Sequence, residues 1–375
     1  MSNKSLRVAF VITVSLTACG GETATKTAAR EPVVTSAPDS PRVTIPEATA
    51  GDHSPHMNPP PPPRAPLAEL QKKTMAGWVA AFNAHDTQRM SDAYEEGAIG
   101  SSPAPGGWHE TKGRDAILKG FDAIFRAFPD LKVATPRIFQ KGDACAIEWV
   151  VNGTNTGEFM GQPATGKAVG FRAATVAWFD DEGLIRQEHV YMDQATIAQQ
   201  VGKAPGKPRP VAAFPTSPPQ WITASGSLEE DKLVETAKNG WPATWSRRDA
   251  KAFATSFTDD AVHEEIASPV DLKGKDALMK EYAGYVKAMP DLTVTVDKVW
   301  AAQTFAILEF TFTGTMKGAM GPFKATNKPV TIHAMEVDEF KGDKWTKATT
   351  YSNGLELLGA MGVLPPPAAS LDTRN

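Results

Sequence analysis

The chain has 375 residues, of which 41% are hydrophobic and 22% charged, and its formal net charge is −4. A chain of this length can form two domains of ordinary size, and its slightly acidic charge excludes the basic surface that nucleic-acid-binding proteins need. The two cysteines, Cys19 and Cys145, are too few for a disulfide framework. We therefore expect a two-domain globular protein without a nucleic-acid partner.

The N-terminus has the pattern of a secretory signal peptide, which we place at residues 1–18. Lys4 and Arg7 form a positive start, and the apolar run 8–16 is too short to span a membrane. The letters LTAC resemble the bacterial lipobox, which implies lipidation of Cys19 and attachment to the cell envelope. The glycine that follows favours the periplasmic side of an outer membrane. The alternative is a plain signal peptide followed by a chance cysteine.

Proline-rich segments separate the folded parts of the chain. Residues 19–65 contain five consecutive prolines from Pro59 and have too few apolar residues to pack, so we expect a disordered tether. A second Pro-rich linker is predicted at 203–226, where Trp221 is apolar enough to dock on a domain. Residues 365–375 are expected to be a disordered tail.

The two folded parts repeat each other without gaps over about fifty residues. The FPDL motif at Phe128 returns as MPDL at Met289, 161 residues later. The same shift relates GRDA to GKDA and ATGK to ATNK. A period this long indicates a duplicated domain rather than a solenoid, and we place the two copies at 66–202 and 227–364.

Each copy begins with helices and continues with strands. The first helix has one apolar face, formed by Leu67, Leu70, Met75, Trp78, Val79 and Phe82. In the second copy, Pro242 is expected to kink this helix. Strands are then predicted at Val133–Phe139, Ala144–Gly153, Val169–Phe179 and Leu184–Asp193. Helices followed by antiparallel strands indicate an α+β fold with the helices on one face of a curved sheet.

This order of elements and several motifs resemble the SnoaL-like polyketide cyclase and ester cyclase group of the nuclear-transport-factor-2-like superfamily. The motifs are W..AFNAHD, GRDAI, FPDL, EWVVNGTNTGEFMGQPATGK and GLIRQEHVYMDQ. The resemblance covers most of 67–202 and, more loosely, 228–364. It implies two cone-shaped half-barrels, each a mostly antiparallel sheet with helices on its concave face and one apolar pocket. It does not determine the reaction, because the fold hosts many functions.

The last strand of the first copy carries the candidate catalytic residues. Alternate strand residues share a face, which brings His189, Tyr191 and Asp193 together. In the cyclases of the family an Asp at the end of this strand is the general acid/base, which implies that role for Asp193, with His189 sharing the proton transfer and Tyr191 donating to an enolate oxygen. The alternatives are that Asp193 caps the following helical turn and that His189 belongs to the pocket wall or to the strand surface.

The second copy lacks this acid/base group. Its corresponding strand ends in Tyr351 and Asn353, and an asparagine cannot accept a proton at neutral pH. We therefore expect the second copy to be a support or a binding cup. The further candidate ligand-binding residues are Trp78, Phe82, Glu148, Arg172, Trp245, Glu309 and His333. Arg172 corresponds to His333, and each is expected to face a glutamate, either in a ligand site or in a structural ion pair.

No cofactor or metal is predicted. His263 stands beside Glu264 and Glu265 without a second histidine at ligand spacing. We expect an exported lipoprotein that binds a small apolar molecule in its two cups, with the domains paired within one chain as a pseudo-dimer and the protein monomeric. The alternative is a cyclase- or isomerase-type enzyme that uses Asp193 as general acid/base on an enolisable ketone or ester.

Overall fold

The computed structural model describes residues 65–159, 161–204 and 206–362. The predicted signal peptide, the tether with Cys19 and the C-terminal tail lie outside these ranges. Within them, no helix combines the length and apolar character needed to cross a membrane.

The first domain consists of four α-helices, a short 3-10 turn and a sheet. Its helices are α1 (Leu67–Asn83), α2 (Thr87–Met90), α3 (Arg114–Ala127) and α4 (Gln194–Gln200). Its strands are β1 (Tyr94–Ala104), β2 (Gly107–Lys112), β3 (Lys132–Ala134), β4 (Arg137–Lys141), β5 (Ala144–Thr154), β6 (Ala168–Phe179) and β7 (Ile185–Met192). The predicted strand Val133–Phe139 is thus two strands, because Pro136 lies between them and has no N–H for the ladder.

The linker contributes one further strand, β8 (Gln220–Thr223), which pairs in parallel with β4. The order across the sheet is β2-β1-β7-β6-β5-β4-β8, and β3 also pairs with β5. All pairs are antiparallel except β1–β7 and β4–β8. Trp221 packs against the core of the first domain, so the prediction that it docks is confirmed, and the linker also contains a strand that the sequence did not indicate.

The second domain repeats this arrangement. Its helices are α5 (Leu228–Asn239), α6 (Trp241–Arg247), α7 (Ala250–Phe253), α8 (Lys275–Ala288) and α9 (Gly354–Ala360). Its strands are β9 (Phe257–Glu265), β10 (Leu272–Lys273), β11 (Thr293–Ala302), β12 (Phe305–Thr315), β13 (Pro329–Lys341) and β14 (Lys344–Tyr351). The sheet order is β10-β9-β14-β13-β12-β11. The α+β prediction is confirmed for both copies.

Local sequence signals explain several helix boundaries. Asp86 and Asp249 cap α2 and α7 by accepting the backbone N–H three residues on. Ser227 and Glu230 form a capping box at the start of α5. Pro242 does not kink one long helix as predicted. It lies in the first turn of a separate helix, α6, where its missing N–H costs nothing.

The apolar core has three parts. Two parts lie inside the domains, between each sheet and its helices, on what we call the inner faces. The third joins the opposite, outer faces of the two sheets, and it includes Phe139, Val176, Tyr191, Ile307, Met335 and Tyr351. The two domains therefore pack sheet against sheet within one chain, as the pseudo-dimer prediction requires.

Candidate functional site

The predicted site residues of the last strands lie between the two sheets rather than inside the cones. The Tyr191 hydroxyl donates to Glu309 of the second domain over 2.7 Å, and the Tyr351 hydroxyl donates to Glu148 of the first domain over 2.7 Å. His189 Nδ1 contacts Glu309 at 2.6 Å. The side chains of these five residues belong to the outer faces, which the pairing of the sheets buries, so they do not line a pocket inside a cone as expected. Glu148 lines a cavity between the domains instead.

A basic residue also contacts each of the two glutamates, Glu148 and Glu309. Arg137 binds both oxygens of Glu148, one of them at 2.8 Å, and Lys298 lies 3.4 Å from Glu309. Arg137 and Lys298 are themselves 161 residues apart. Burial alone would raise the pKa of Glu309, but hydrogen bonds from His189 and Tyr191 outweigh it, so the pKa is lowered. Glu148 and Glu309 thus anchor the domain interface through these contacts.

Asp193 and Asn353 cap the terminal helices of the two domains. Asp193 accepts hydrogen bonds from the backbone N–H of Ala195 and Thr196 in α4 and also from that of Gly354 in α9, over 3.2, 2.9 and 2.9 Å. Asn353 accepts from the Leu355 N–H over 3.1 Å. Asp193 is 3% exposed, and burial raises its pKa above the ordinary value. Its position favours capping over an acid/base role in the first cone.

Arg172 and His333 also serve the interface region. Arg172 contacts Glu264 of the second domain at 2.5 Å and the Tyr351 hydroxyl at 3.3 Å. His333 Nδ1 contacts Glu356 at 2.7 Å. Each residue therefore faces a glutamate as predicted, but not Glu148 or Glu309. The contact of Arg172 is that of a structural ion pair, and that of His333 is a polar contact within the second domain.

A polar cavity of about 590 Å³ lies between the domains and the linker. Its charged lining residues are Arg137, Glu148, Arg172, Arg209, Glu264, Asp271 and Lys347. All of them are engaged in ion pairs with one another, including Arg209 with Asp271 and Lys347 with Glu264. The charged groups around this cavity thus already neutralise each other, and they hold the domains and the linker together.

Aromatic rings contact each other in the interior of the first domain. Trp78 stacks on Phe82 with ring centroids 5.2 Å apart and contacts Trp149 at 5.0 Å. One carboxyl group is buried there: Glu188 accepts a 3.3 Å hydrogen bond from the Tyr94 hydroxyl, and burial raises its pKa to about 7. The predicted ligand residues Trp78 and Phe82 are thus part of a packed core.

The second domain encloses a cavity of about 890 Å³ on its inner face, which we call the inner cavity. Its wall is mainly apolar and includes the aromatic residues Trp241, Trp245, Phe253, Tyr285, Phe310, Phe312, Phe323 and Trp345. The prediction that Trp245 lies at a pocket agrees with this arrangement. The first domain and the linker close one side through Ala195, Gln199, Ala204, Gly206 and Lys207, of which Gly206 and Lys207 are exposed and mark the opening.

A hydrogen-bonded polar cluster lies on the wall of the inner cavity. His263 contacts Glu281 through Nδ1 at 3.2 Å and Thr350 Oγ1 through Nε2 at 2.9 Å. The Thr350 hydroxyl donates in turn to Glu336. Burial disfavours the imidazolium, but Glu281 and then Glu336 outweigh it and raise the pKa of His263 to about 9. His263 is therefore a cation at neutral pH that is held between two carboxylates.

Two further carboxyl groups belong to this region. Glu265 lines the inner cavity and accepts hydrogen bonds from the Ala267 N–H and the Ser352 hydroxyl, over 3.1 and 3.0 Å. Burial raises its pKa to about 7. Asp338 is fully buried beside Glu336 and accepts from Trp241 Nε1, and burial together with Glu336 raises its pKa well above the ordinary value. Glu265 can thus gain or lose a proton near neutral pH.

The first domain has no counterpart of this cluster. By strand pairing and by the alignment of α3 with α8, the positions of His263, Glu281, Glu336 and Thr350 correspond to Gly100, Gly120, Thr175 and Val190. Sequence reasoning weighed His263 and Glu265 only as metal ligands and missed their role here. The available signal was their spacing of two residues on one strand, which puts both on one face.

The described ranges contain no group of three or more His, Cys, Asp or Glu arranged to hold a metal ion. The site is thus defined by an α+β cone with a large, mainly apolar cavity and ionisable side chains on one wall. This is the architecture of a small-molecule-binding domain.

Comparison with known proteins identifies the family. The sequence profile of the SnoaL-like polyketide cyclases matches twice, at residues 72–201 and 235–360. The chain belongs to this family and carries two copies of its domain. No curated protein matches the chain.

Similar solved structures each correspond to part of the chain. AclR, a proposed hydroxylase from Streptomyces galilaeus, is 25% identical, with 37% of this chain and 100% of AclR covered and a TM-score of 0.34. IdmH, a proposed polyketide cyclase from Streptomyces antibioticus, is 28% identical, with 35% of this chain and 98% of IdmH covered and a TM-score of 0.32.

Proposed function

We propose that the protein binds a small, largely apolar molecule in its second domain, and that the first domain is a structural support. The observation that carries this proposal is the inner cavity of about 890 Å³, which lies within the 300–1,000 Å³ range typical of ligand pockets. The first domain has Gly100, Gly120, Thr175 and Val190 in place of the polar cluster on the wall of this cavity.

A matched pair of substitutions tests which domain binds. Ala334 lines the inner cavity, and its counterpart 161 residues earlier is Ala173, which lies in the first core. We expect Ala334→Leu to extend into the cavity and weaken ligand binding at least tenfold with little loss of stability. We expect Ala173→Leu to overpack its core, which costs about 1–3 kcal/mol, and to leave binding unchanged.

The measurement is native mass spectrometry of the purified protein for a co-purified molecule, followed by calorimetric titration of that molecule into each variant. Unchanged affinity in Ala334→Leu combined with lost affinity in Ala173→Leu would place the ligand in the first domain and contradict the proposal.

The raised pKa of Glu265 supports a second candidate function, an enzyme that moves a proton on an enolisable ketone or ester. A carboxyl group with a pKa of about 7 can remove a proton alpha to a carbonyl. The resulting enolate can add to a second carbonyl group of the substrate, and the carboxyl group can then return the proton to the alkoxide formed there. In a screen of such substrates, Glu265→Gln should abolish turnover while ligand binding persists. Asp193→Asn should leave turnover intact. Loss of turnover in this variant would instead support Asp193 as the general acid/base.

Export and lipid attachment at Cys19 are also proposed, on the basis of the charged start, the short apolar run and the LTAC sequence. We expect Cys19→Ser to move the protein from the membrane fraction to the soluble fraction and to abolish incorporation of labelled fatty acid. Cys145→Ala is the control, because Cys145 is a fully buried residue of β5 and cannot be acylated in the folded protein. Membrane retention of Cys19→Ser would refute the anchor.

A further inference from the structure

We propose that the ligand of the inner cavity is an organic cation, either a quaternary ammonium or a protonated amine carried on an apolar body. The inference rests on the proposed function, because it concerns the chemistry of the same cavity. It draws on the balance of charges along the cavity wall and on the nature of the surfaces that surround them.

The charges on the wall are predominantly negative. Glu265, Glu281 and Glu336 all line the inner cavity, and the imidazolium of His263 offsets one of them. The cation Lys207 lies on the linker at the opening and is exposed, so water screens its charge. Buried carboxylates without a full set of cations are costly, and a positively charged ligand would supply the missing charge.

The apolar part of the wall is suited to the same ligand. Trp245, Trp345, Tyr285, Phe310 and Phe312 line the cavity together with the carboxyl groups. The faces of aromatic rings attract cations through their quadrupole, and tryptophan does so most strongly. An ammonium group is thus stabilised by rings and carboxylates together, whereas an anion would meet repulsion from both.

Titration of Glu265 should make the affinity for a cation depend on pH. The charged or titratable groups that face it are His263 on its own strand, Asp193 from the first domain and Tyr285 from α8, while Arg209 binds its backbone carbonyl. A bound cation would favour the ionised form of Glu265 and release its proton. Since the free carboxyl titrates at about pH 7, the affinity for a permanent cation should rise with pH between 6 and 8.

The test uses three probes of similar size titrated calorimetrically into the purified full chain. They are benzyltrimethylammonium, its uncharged carbon isostere neopentylbenzene, and the anion phenylacetate. We expect the cation to bind about tenfold more tightly than the neutral isostere and the anion to bind more weakly than both. Equal or tighter binding of the neutral probe would overturn the cation inference and leave the proposed function standing. Absence of binding by all three probes would contradict both the cation inference and the proposed function. Tighter binding of the anion would overturn the cation inference and indicate that His263 binds the ligand.

Variants separate charge from shape. Glu265→Gln keeps the size of the side chain and should reduce the cation's advantage over the isostere by at least threefold, without weakening the isostere. Glu188→Gln, which removes the buried carboxyl of the first domain, is the matched control and should change neither affinity. Should Glu265→Gln fail to fold, the pH series on the unsubstituted protein decides, because benzyltrimethylammonium has no titrating group. An affinity that is constant between pH 6 and 8 would overturn the inference.

Discussion

Replacement of Asp193 by alanine should loosen the contact between the two domains. The carboxylate accepts three backbone N–H groups, two from α4 of the first domain and one from Gly354 of the second. Loss of a helix cap costs about 1 kcal/mol, and leaving the partly buried Gly354 N–H without an acceptor costs at least about 1 kcal/mol more. We therefore expect Asp193→Ala to lower the free energy of unfolding by about 2–3 kcal/mol.

Asparagine at the same position should behave differently. Its single oxygen can keep the bonds of Oδ1 to Ala195 and Gly354, whereas its amide cannot accept from Thr196. The loss of that bond is offset because a neutral group avoids the burial cost that raises the pKa of Asp193. We expect Asp193→Asn to remain within about 1 kcal/mol of the unsubstituted protein.

Urea unfolding at pH 7, followed by tryptophan fluorescence, measures these differences. Asp249→Ala is the control, because Asp249 caps α7 within one domain and should show the capping cost of about 1 kcal/mol alone. If Asp193→Ala costs no more than Asp249→Ala, the bridge to Gly354 contributes nothing and the reasoning fails.

Three further predictions concern buried polar groups. Tyr191→Phe and Tyr351→Phe each remove a 2.7 Å hydrogen bond to a glutamate of the other domain and should each cost about 1–2 kcal/mol in urea unfolding; a marked difference between them would contradict the equivalence of the two contacts. Burial raises the pKa of Glu188 from 4.5 to about 7, so its contribution to stability is present below pH 4.5 and is lost as the pH rises to 7. Glu188→Gln should accordingly stabilise the protein by about 3 kcal/mol at pH 8 and change little at pH 4, and an equal effect at both pH values would refute this. Burial opposes ionisation of Glu264, but Arg172 and then Lys347 outweigh it and lower its pKa to about 2, so the stabilisation present above pH 4.5 should disappear between pH 4.5 and 2 in thermal melts. Glu264→Gln should flatten that part of the pH profile, and an unchanged profile would show that the ion pair contributes nothing.

The repeat, the fold class and most element positions could be predicted from sequence because they depend on local patterns. The 161-residue shift is visible in the letters, and the helical face with Met75, Trp78 and Phe82 is buried as its spacing indicates. The errors arose at prolines. Pro136 separates two strands and Pro242 lies in the first turn of a helix. Whether a proline bends a strand or helix or divides it into two depends on the neighbouring elements.

The site was harder to predict because alternation along a strand sorts side chains into two faces without showing which face is inside. His189 and Tyr191 do share a face, as the period of two requires, but it is the outer face of the sheet, and Asp193 lies beyond the end of β7 at the start of α4. In a single domain that face would be exposed and polar. Here the second sheet buries it, so both faces carry buried aromatic and ionisable residues and the sequence alone cannot distinguish them.

The covalent joining of the two copies has a consequence for how their interiors can differ. In a symmetric homodimer both subunits come from one gene, so a substitution that fills one cone fills its partner as well. In this chain each half can accept substitutions independently. The polar pair His263 and Glu281 of the second domain has glycines, Gly100 and Gly120, at the equivalent positions of the first. One half can thus carry a polar cluster that the other half lacks, a specialisation that two identical partners cannot reach.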